Sequence, residues 1–362
     1  MRTFFQLVFL FAGILPAMAA MCPASRLANA RKVYESPGGV ARAYNCQNGG
    51  FVIMAGERMV GYSDSGSLDM ADMPPALLDL LEAYAPERGC SRDRVKAFVP
   101  VAPLLDGIAY DQNDPYNRMC PEYAKGSRSA VGCAATAMAQ IMRYYRYPER
   151  GKGSHAYTPE FYPSMGRIEV DFSESAYDWD NMPPTFGPDA GEEQCAAVAR
   201  LMYDAGVAVS MNYGPMSGAL SEDWPAALVD HFSYDDAVTL RFRSNYGLDD
   251  WEKVVRTEID NGRPVYVTGF TEEGGHAFVF DGYDESGLIH VNWGWSGMSN
   301  GYFDTTFLTP STQGTGGSTG GFNSRQMMVT GIMPECGAQE TVTLVSEEGL
   351  SCLLYTSDAA DE

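Results

Sequence analysis

Residues 131–145 read Val-Gly-Cys-Ala-Ala-Thr-Ala-Met-Ala-Gln-Ile-Met-Arg-Tyr-Tyr. Met138, Ile141, Met142 and Tyr145 recur at helical spacing and Pro148 ends the pattern, so a helix is predicted over 134–145. Cys133 sits at its first turn, directly after Gly132. The partial positive charge of a helix N-terminus favours thiolate over thiol, and thiolate is the attacking species. Gly132 is expected to keep the approach to the sulfur open. A lone cysteine also reads as a small buried hydrophobe, and this segment by itself leaves both readings standing.

Working outward, a second helix is expected over 194–205, ended by Gly206, and another over 251–260. Residues 264–270, 277–283 and 288–293 then alternate as strands separated by glycine-rich turns. A helical half followed by a sheet half predicts an α+β fold with a cleft where the halves meet. A nucleophilic cysteine needs an imidazole to take its proton. Of the four histidines, His290 lies in an alternating strand, His155 follows a turn and His231 a helix end. His276 starts a strand among small residues, 143 positions after Cys133, and is the candidate base. An ion pair between the two is expected to hold the thiol's pKa well below that of a free cysteine.

Asn292-Trp293-Gly294-Trp295 follows; an amide or indole there can orient an imidazole, although two tryptophans equally suit a core. Upstream, the amide of Gln112 can donate to an oxyanion beside the Cys133 backbone N–H, while alone it reads as a loop glutamine.

The chain has 362 residues, 45% hydrophobic and 20% charged, as expected of a packed globule. Its net charge of −22 repels phosphate backbones and excludes nucleic acid as a natural partner. Residues 1–20 read as a signal peptide: Arg2, an apolar run over 4–15, then Ala17-Met18-Ala19. That run is too short to span a bilayer and no later stretch is longer, so an exported protein without an integral membrane segment is expected. Residues 21–96 form a small unit of their own. In it, 50–54 and 59–62 make a hairpin, and Pro74-Pro75 opens a helix carrying Leu77, Leu78, Leu81 and Tyr84. Arg88, Arg92, Arg94 and Lys96 mark a basic linker where a processing cut falls most easily. The main unit spans 97–335 and contains a flexible loop with glycines at 314, 316, 317, 320 and 321.

Residues 336–351 read as the start of a truncated further region, and 352–362 resemble a sequencing adapter read through in translation. Setting Cys352 aside leaves seven cysteines: Cys22, Cys46, Cys90, Cys120, Cys133, Cys195 and Cys336. That number is odd, so in an oxidising compartment at least one thiol lacks an intramolecular partner. Neither a CxxC pair nor a histidine cluster calls for a metal, and no cofactor is implied.

Six segments in order resemble the streptopain family of cysteine peptidases: QNDPYN at 112–117, VGCAATAMAQIMRYY at 131–145, NYGP at 212–215, GGHAFV at 274–279, VNWGWSG at 291–297 and GTGGSTGGFN at 314–323. The resemblance implies a papain-like two-lobed α+β fold preceded by a small α+β pro-domain, and a secreted bacterial zymogen, extracellular or periplasmic. It implies Cys133 as nucleophile, His276 as proton acceptor, Gln112 in the oxyanion hole, and Trp293 with Asn292 beside it as the third position. Gly275, Ser217, Gly218 and Trp295 would line the substrate cleft. Substrates would be proteins or peptides with a hydrophobic residue two before the cut, and the pro-domain an intramolecular inhibitor. Ala109-Tyr110 departs from the family, which commonly has a tryptophan before the glutamine motif, and the turn after Gly214-Pro215 is shorter. A cell-wall amidase or transglutaminase-like acyl transferase, and a catalytically dead surface-binding module, are the competing readings.

Overall fold

The computed structural model describes residues 27, 30–36, 39, 41–47, 49–68, 97–318 and 320–335. The expected signal segment, the helix after Pro74-Pro75, the basic linker, Cys22, Cys90, Cys336 and the tail from 336 onward lie outside the described residues.

The helix around the cysteine, α1 (Cys133–Tyr145), is buried at every position from Ala134 to Met142, as suits a helix that is apolar over this stretch except at Thr136 and Gln140. Its alanines let neighbouring elements come close, and it packs with α2 (Glu192–Ala208) and α3 (Trp224–Phe232) in a helical lobe. Gly206 was expected to end α2, yet the helix runs through it to Ala208. The Tyr213 hydroxyl occupies the space a side chain there would need, so close packing rather than termination explains this glycine.

Two small hairpins, β5 (Glu122–Ala124) with β6 (Ser127–Arg128) and β7 (Ser154–Tyr157) with β8 (Ile168–Asp171), stand apart from the main sheet. The sheet lobe carries β9 (Thr239–Phe242), β10 (Val265–Phe270), β11 (Gly275–Tyr283), β12 (Ile289–Asn292), β13 (Gly301–Phe303) and β14 (Ser324–Thr330), with α4 (Leu248–Asp260) against it. β11 is buried on both faces. Ala277 and Val279 join the helical-lobe core, whereas Phe278 and Phe280 join a second core with Trp251, Val255 and Ile259 of α4. The two lobes therefore meet along β11, and Cys133 and His276 lie at that junction.

Near the N-terminus, β1 (Arg31–Glu35), β2 (Ala41–Asn45), β3 (Phe51–Ala55) and β4 (Arg58–Ser63) form a meander that contains the expected hairpin. These strands, read from sequence as a unit of their own, continue the main sheet. β4 pairs antiparallel with β13, Tyr62 opposite Tyr302 and Gly61 opposite Phe303, giving a ten-stranded sheet in the order β1-β2-β3-β4-β13-β12-β11-β10-β14-β9. Ala41, Phe51, Ile53 and Val60 share one core with Trp293, Trp295 and Phe303, because a single sheet face needs a single cover. Among the described residues, no helix is long and apolar enough to cross a membrane.

Candidate active site

Gly132 adopts φ 94°, open to glycine and strained for other residues, and a Cβ there would lie 2.6 Å from the Met211 sulfur and 3.2 Å from the Ser217 Cβ. Its role is therefore conformation and packing behind the helix start, rather than an open path to the sulfur. The turn aims Cys133 Sγ at β11, where the backbone N–H groups of Ala277, Ala134 and Cys133 itself point at it. Burial nevertheless pushes the thiol's pKa up, those N–H groups opposing it.

His276 is buried, its ring stacked on Trp295 at 4.4 Å between centroids and flanked by Phe278, Trp293 and Phe322. Nε2 lies 2.8 Å from the backbone carbonyl of Trp293. A carbonyl only accepts, so Nε2 carries the hydrogen, and the neutral ring keeps its lone pair on Nδ1. Nδ1 is buried and makes no hydrogen bond. Burial lowers the ring's pKa to about 4, the carbonyl contact opposing.

The expected low-pKa ion pair is thus not formed here. With the N-terminal strands in place, the pair is a neutral thiol and a neutral imidazole from about pH 4 into the alkaline range, because burial penalises both charged forms and Nδ1 does not bond the sulfur. Alkylation of Cys133 by iodoacetamide in the intact chain, followed by mass spectrometry of its peptide, is accordingly expected to be slow at pH 6 and to accelerate only above about pH 8.5, where ordinary thiols ionise. Rapid alkylation at pH 6 would contradict the neutral pair.

The third position differs in kind from the expectation. Trp293 holds His276 through its main-chain carbonyl, and its indole N–H donates to the Ser299 carbonyl at 3.0 Å. Asn292 does not hold the imidazole. Its amide donates to the Ile108 carbonyl at 2.8 Å and its oxygen accepts the Gly294 N–H at 3.1 Å, bracing the segment that carries Trp293.

Gln112 is 1% exposed, and its Nε2 donates to the Thr315 carbonyl at 2.6 Å. The Trp295 indole donates to the same carbonyl at 3.0 Å, and the Asn113 amide reaches the Thr315 hydroxyl at 2.9 Å. The glycine-rich loop, expected to be flexible, is pinned at this point, and its carbonyl occupies the Gln112 amide. Trp295, expected to line the cleft, is buried as the shelf under the imidazole. Ser217 is also buried. Its hydroxyl donates to Ala130 O at 2.7 Å and accepts the Gly214 N–H at 3.0 Å, so it braces the turn instead of facing a ligand. Gly218 and Gly275 are exposed, and a Cβ on Gly275 would lie 2.6 Å from the Phe270 ring.

Sequence reasoning missed Gln140. One face of α1 carries it, its Oε1 accepts the Tyr110 N–H at 3.1 Å, and it thereby ties the Gln112 loop to the cysteine helix. A glutamine among apolar residues on a buried helix was the available signal. Asp111 adds a second tie, accepting from the Gln112 N–H at 2.6 Å and the Ser296 hydroxyl at 3.1 Å.

Residues 110–303 match the sequence profile described as the Peptidase C10 family. The chain is 37% identical over 319 residues to streptopain of Streptococcus pyogenes, 80% of each being covered. It is 33% identical over 311 residues to the thiol protease/hemagglutinin PrtT of Porphyromonas gingivalis, covering 79% of this chain and 36% of that one. Among solved structures, a prointerpain A fragment of Prevotella intermedia superposes with TM-score 0.67 at 30% identity, covering 85% of this chain and 99% of the other. Active wild-type interpain A from the same organism superposes with TM-score 0.58 at 36% identity, covering 66% and 96%. The family profile, the identity to streptopain and the likeness to prointerpain A and interpain A agree, and the chain belongs to the Peptidase C10 family as a papain-like cysteine endopeptidase made as a zymogen.

Proposed function

We propose that Cys133 is the nucleophile, His276 its base, and Gln112 with the Cys133 backbone N–H the oxyanion hole. The observation that carries this reading is the Nε2–H donated to the Trp293 carbonyl, which leaves the Nδ1 lone pair as the imidazole's free basic site. In the reaction the Sγ proton passes to Nδ1 and sulfur attacks the scissile carbonyl carbon. The oxyanion is then held by N–H donors. Collapse breaks the C–N bond, the leaving amine takes the proton from Nδ1, and an acyl-enzyme remains. Water, deprotonated by the same nitrogen, hydrolyses it and restores the thiol. A substrate carbonyl must displace Thr315 from Gln112, so the glycine-rich loop shifts before turnover.

Residues 1–20 direct export, and 21–96 serve as a pro-domain cut from 97–335 within the basic linker. The exposed backbone of Gly218 and Gly275 lines the cleft, with a hydrophobic substrate residue two before the cut. The test is casein digestion by the processed protein under reducing conditions, with peptidoglycan as the comparison. New peptide ends from casein are expected, and release from peptidoglycan alone would overturn the reading.

Gln112→Ala is expected to lower kcat roughly a hundredfold with little change in KM, since an oxyanion donor acts on charge that develops only in the transition state. A change confined to KM would make Gln112 a binding residue.

A further inference from the structure

A line of hydrogen bonds joins the N-terminal strands to the imidazole, and the chemistry above makes no use of its far end. Ser63, the last residue of β4, is 1% exposed and donates its hydroxyl to the Asn300 carbonyl at 2.6 Å. The Asn300 side-chain oxygen accepts the Trp293 backbone N–H at 3.0 Å. Trp293 in turn offers its carbonyl to His276 Nε2 at 2.8 Å, while its indole donates to the Ser299 carbonyl at 3.0 Å. Trp293 is therefore fastened at its amide and at its ring to two consecutive residues, Ser299 and Asn300. Those residues lead directly into β13, the strand that β4 pairs with.

The approach of β4 to this point is close. A Cβ on Gly301 would run into the Tyr62 carbonyl and lie 2.9 Å from Ser63 Cα, so β13 fits against β4 backbone to backbone. At the other end of the seam Arg58 forms an ion pair with the buried carboxylate of Asp304. The first tie from β4 toward the histidine is thus the hydroxyl of buried Ser63 on the carbonyl of half-buried Asn300, and that bond is lost when the N-terminal strands leave. The β4 backbone that packs against Gly301 leaves with them and water takes the place of the Ser63 hydroxyl, so the Ser299–Gly301 turn loses the contacts that fix its setting and is free to rearrange at that moment.

We propose that Asn300 is a positioning residue for His276, and that Ser63 links its setting to the presence of β4. The sheet seam then reports to the active site whether the N-terminal unit is attached. This rests on the reading of His276 as base and of residues 21–96 as the pro-domain. It adds a route by which the strands act on the imidazole through Asn300 and Trp293. Such a route needs the two states to differ in contacts, and the Ser63–Asn300 bond is a contact that only the intact chain can make.

The experiment uses the full chain and the processed protein obtained from it, with wild-type enzyme added in trace amount to process slow variants. Ser63→Ala in the full chain is expected to raise the alkylation rate of Cys133 at pH 6.5 several-fold. The processed product of that variant no longer contains the position and should match wild type. In the processed protein, Asn300→Ala is expected to lower kcat by roughly tenfold to a hundredfold with KM nearly unchanged, the range that a misplaced reacting group produces. The alkaline limb of its pH–rate profile should move to lower pH, because a carbonyl hydrogen bond stabilises imidazolium and its loss lowers the ring's pKa. Asn300→Asp keeps an acceptor for the Trp293 N–H and should restore most of the rate, which separates positioning from loss of folding. An intact chain that is latent and a processed form that is active, with Ser63→Ala silent and the Asn300→Ala limb unmoved, would overturn the relay while sparing the zymogen reading. Equal activity of intact and processed wild type would instead remove the zymogen reading on which it stands.

Discussion

Cys133→Ala is expected to lower peptide hydrolysis by on the order of 10⁵-fold while leaving the chain folded. Removing one member of a cooperating nucleophile–base pair costs nearly as much as removing both, since neither acts without the other. A 10⁵-fold loss corresponds to about 7 kcal/mol of transition-state stabilisation. The fold should tolerate the change, because alanine is the best helix former and α1 already begins Ala134-Ala135. Sγ takes part in no side-chain hydrogen bond with His276 that the fold would lose. Measuring kcat/KM on a casein-derived peptide beside a thermal melt separates the two effects. Turnover comparable to wild type with an unchanged melt would end the assignment of Cys133 as nucleophile.

Separating residues 21–96 from the rest is expected to raise activity by roughly a hundredfold or more. In the intact chain the thiol and imidazole are both neutral, Nδ1 is unbonded and the Gln112 amide is taken by Thr315, so three parts of the machinery are out of position for chemistry. The N-terminal strands are fixed by the β4–β13 pairing, by a core shared with Trp293 and Trp295, and by the Arg58–Asp304 ion pair. A tethered unit acts at an effective concentration in the millimolar range, so even a modest intrinsic affinity keeps it seated. Cutting the linker removes that advantage. The check is to assay the full chain and a form beginning between Arg88 and Val101 on one peptide under reducing conditions. Equal rates would leave the N-terminal unit as a binding module.

Much of the site was legible because its parts are local. Apolar residues at helical spacing, a glycine before a cysteine and a proline after the helix suffice to place Cys133 at a helix start. Alternation suffices to place His276 at a strand start. The roles of Trp293, Asn292 and Trp295 were less legible. A tryptophan suggests an indole, yet the group that meets His276 is a carbonyl, which every residue possesses and no letter announces. Asn292 and Ser217 spend their polar atoms on backbone groups of Ile108, Gly294, Ala130 and Gly214, partners set by loops that only the packed chain brings together.

By itself, then, the sequence determined the α+β division into a helical and a sheet half, the helix that begins at Cys133, and the strands that became β10, β11 and β12. These follow from periodicities and caps within a few residues of each other. Only the tertiary structure decided that the N-terminal strands extend the main sheet through β4. Its partner in β13 lies some 240 residues away, and strand pairing is settled by register and shared burial at long range, which no local pattern carries. The protonation of the pair was likewise a tertiary matter. A helix terminus and a neighbouring imidazole favour the charged forms, but the burial supplied by Trp295, Phe278 and Phe322 around His276 outweighs them until the structure rearranges.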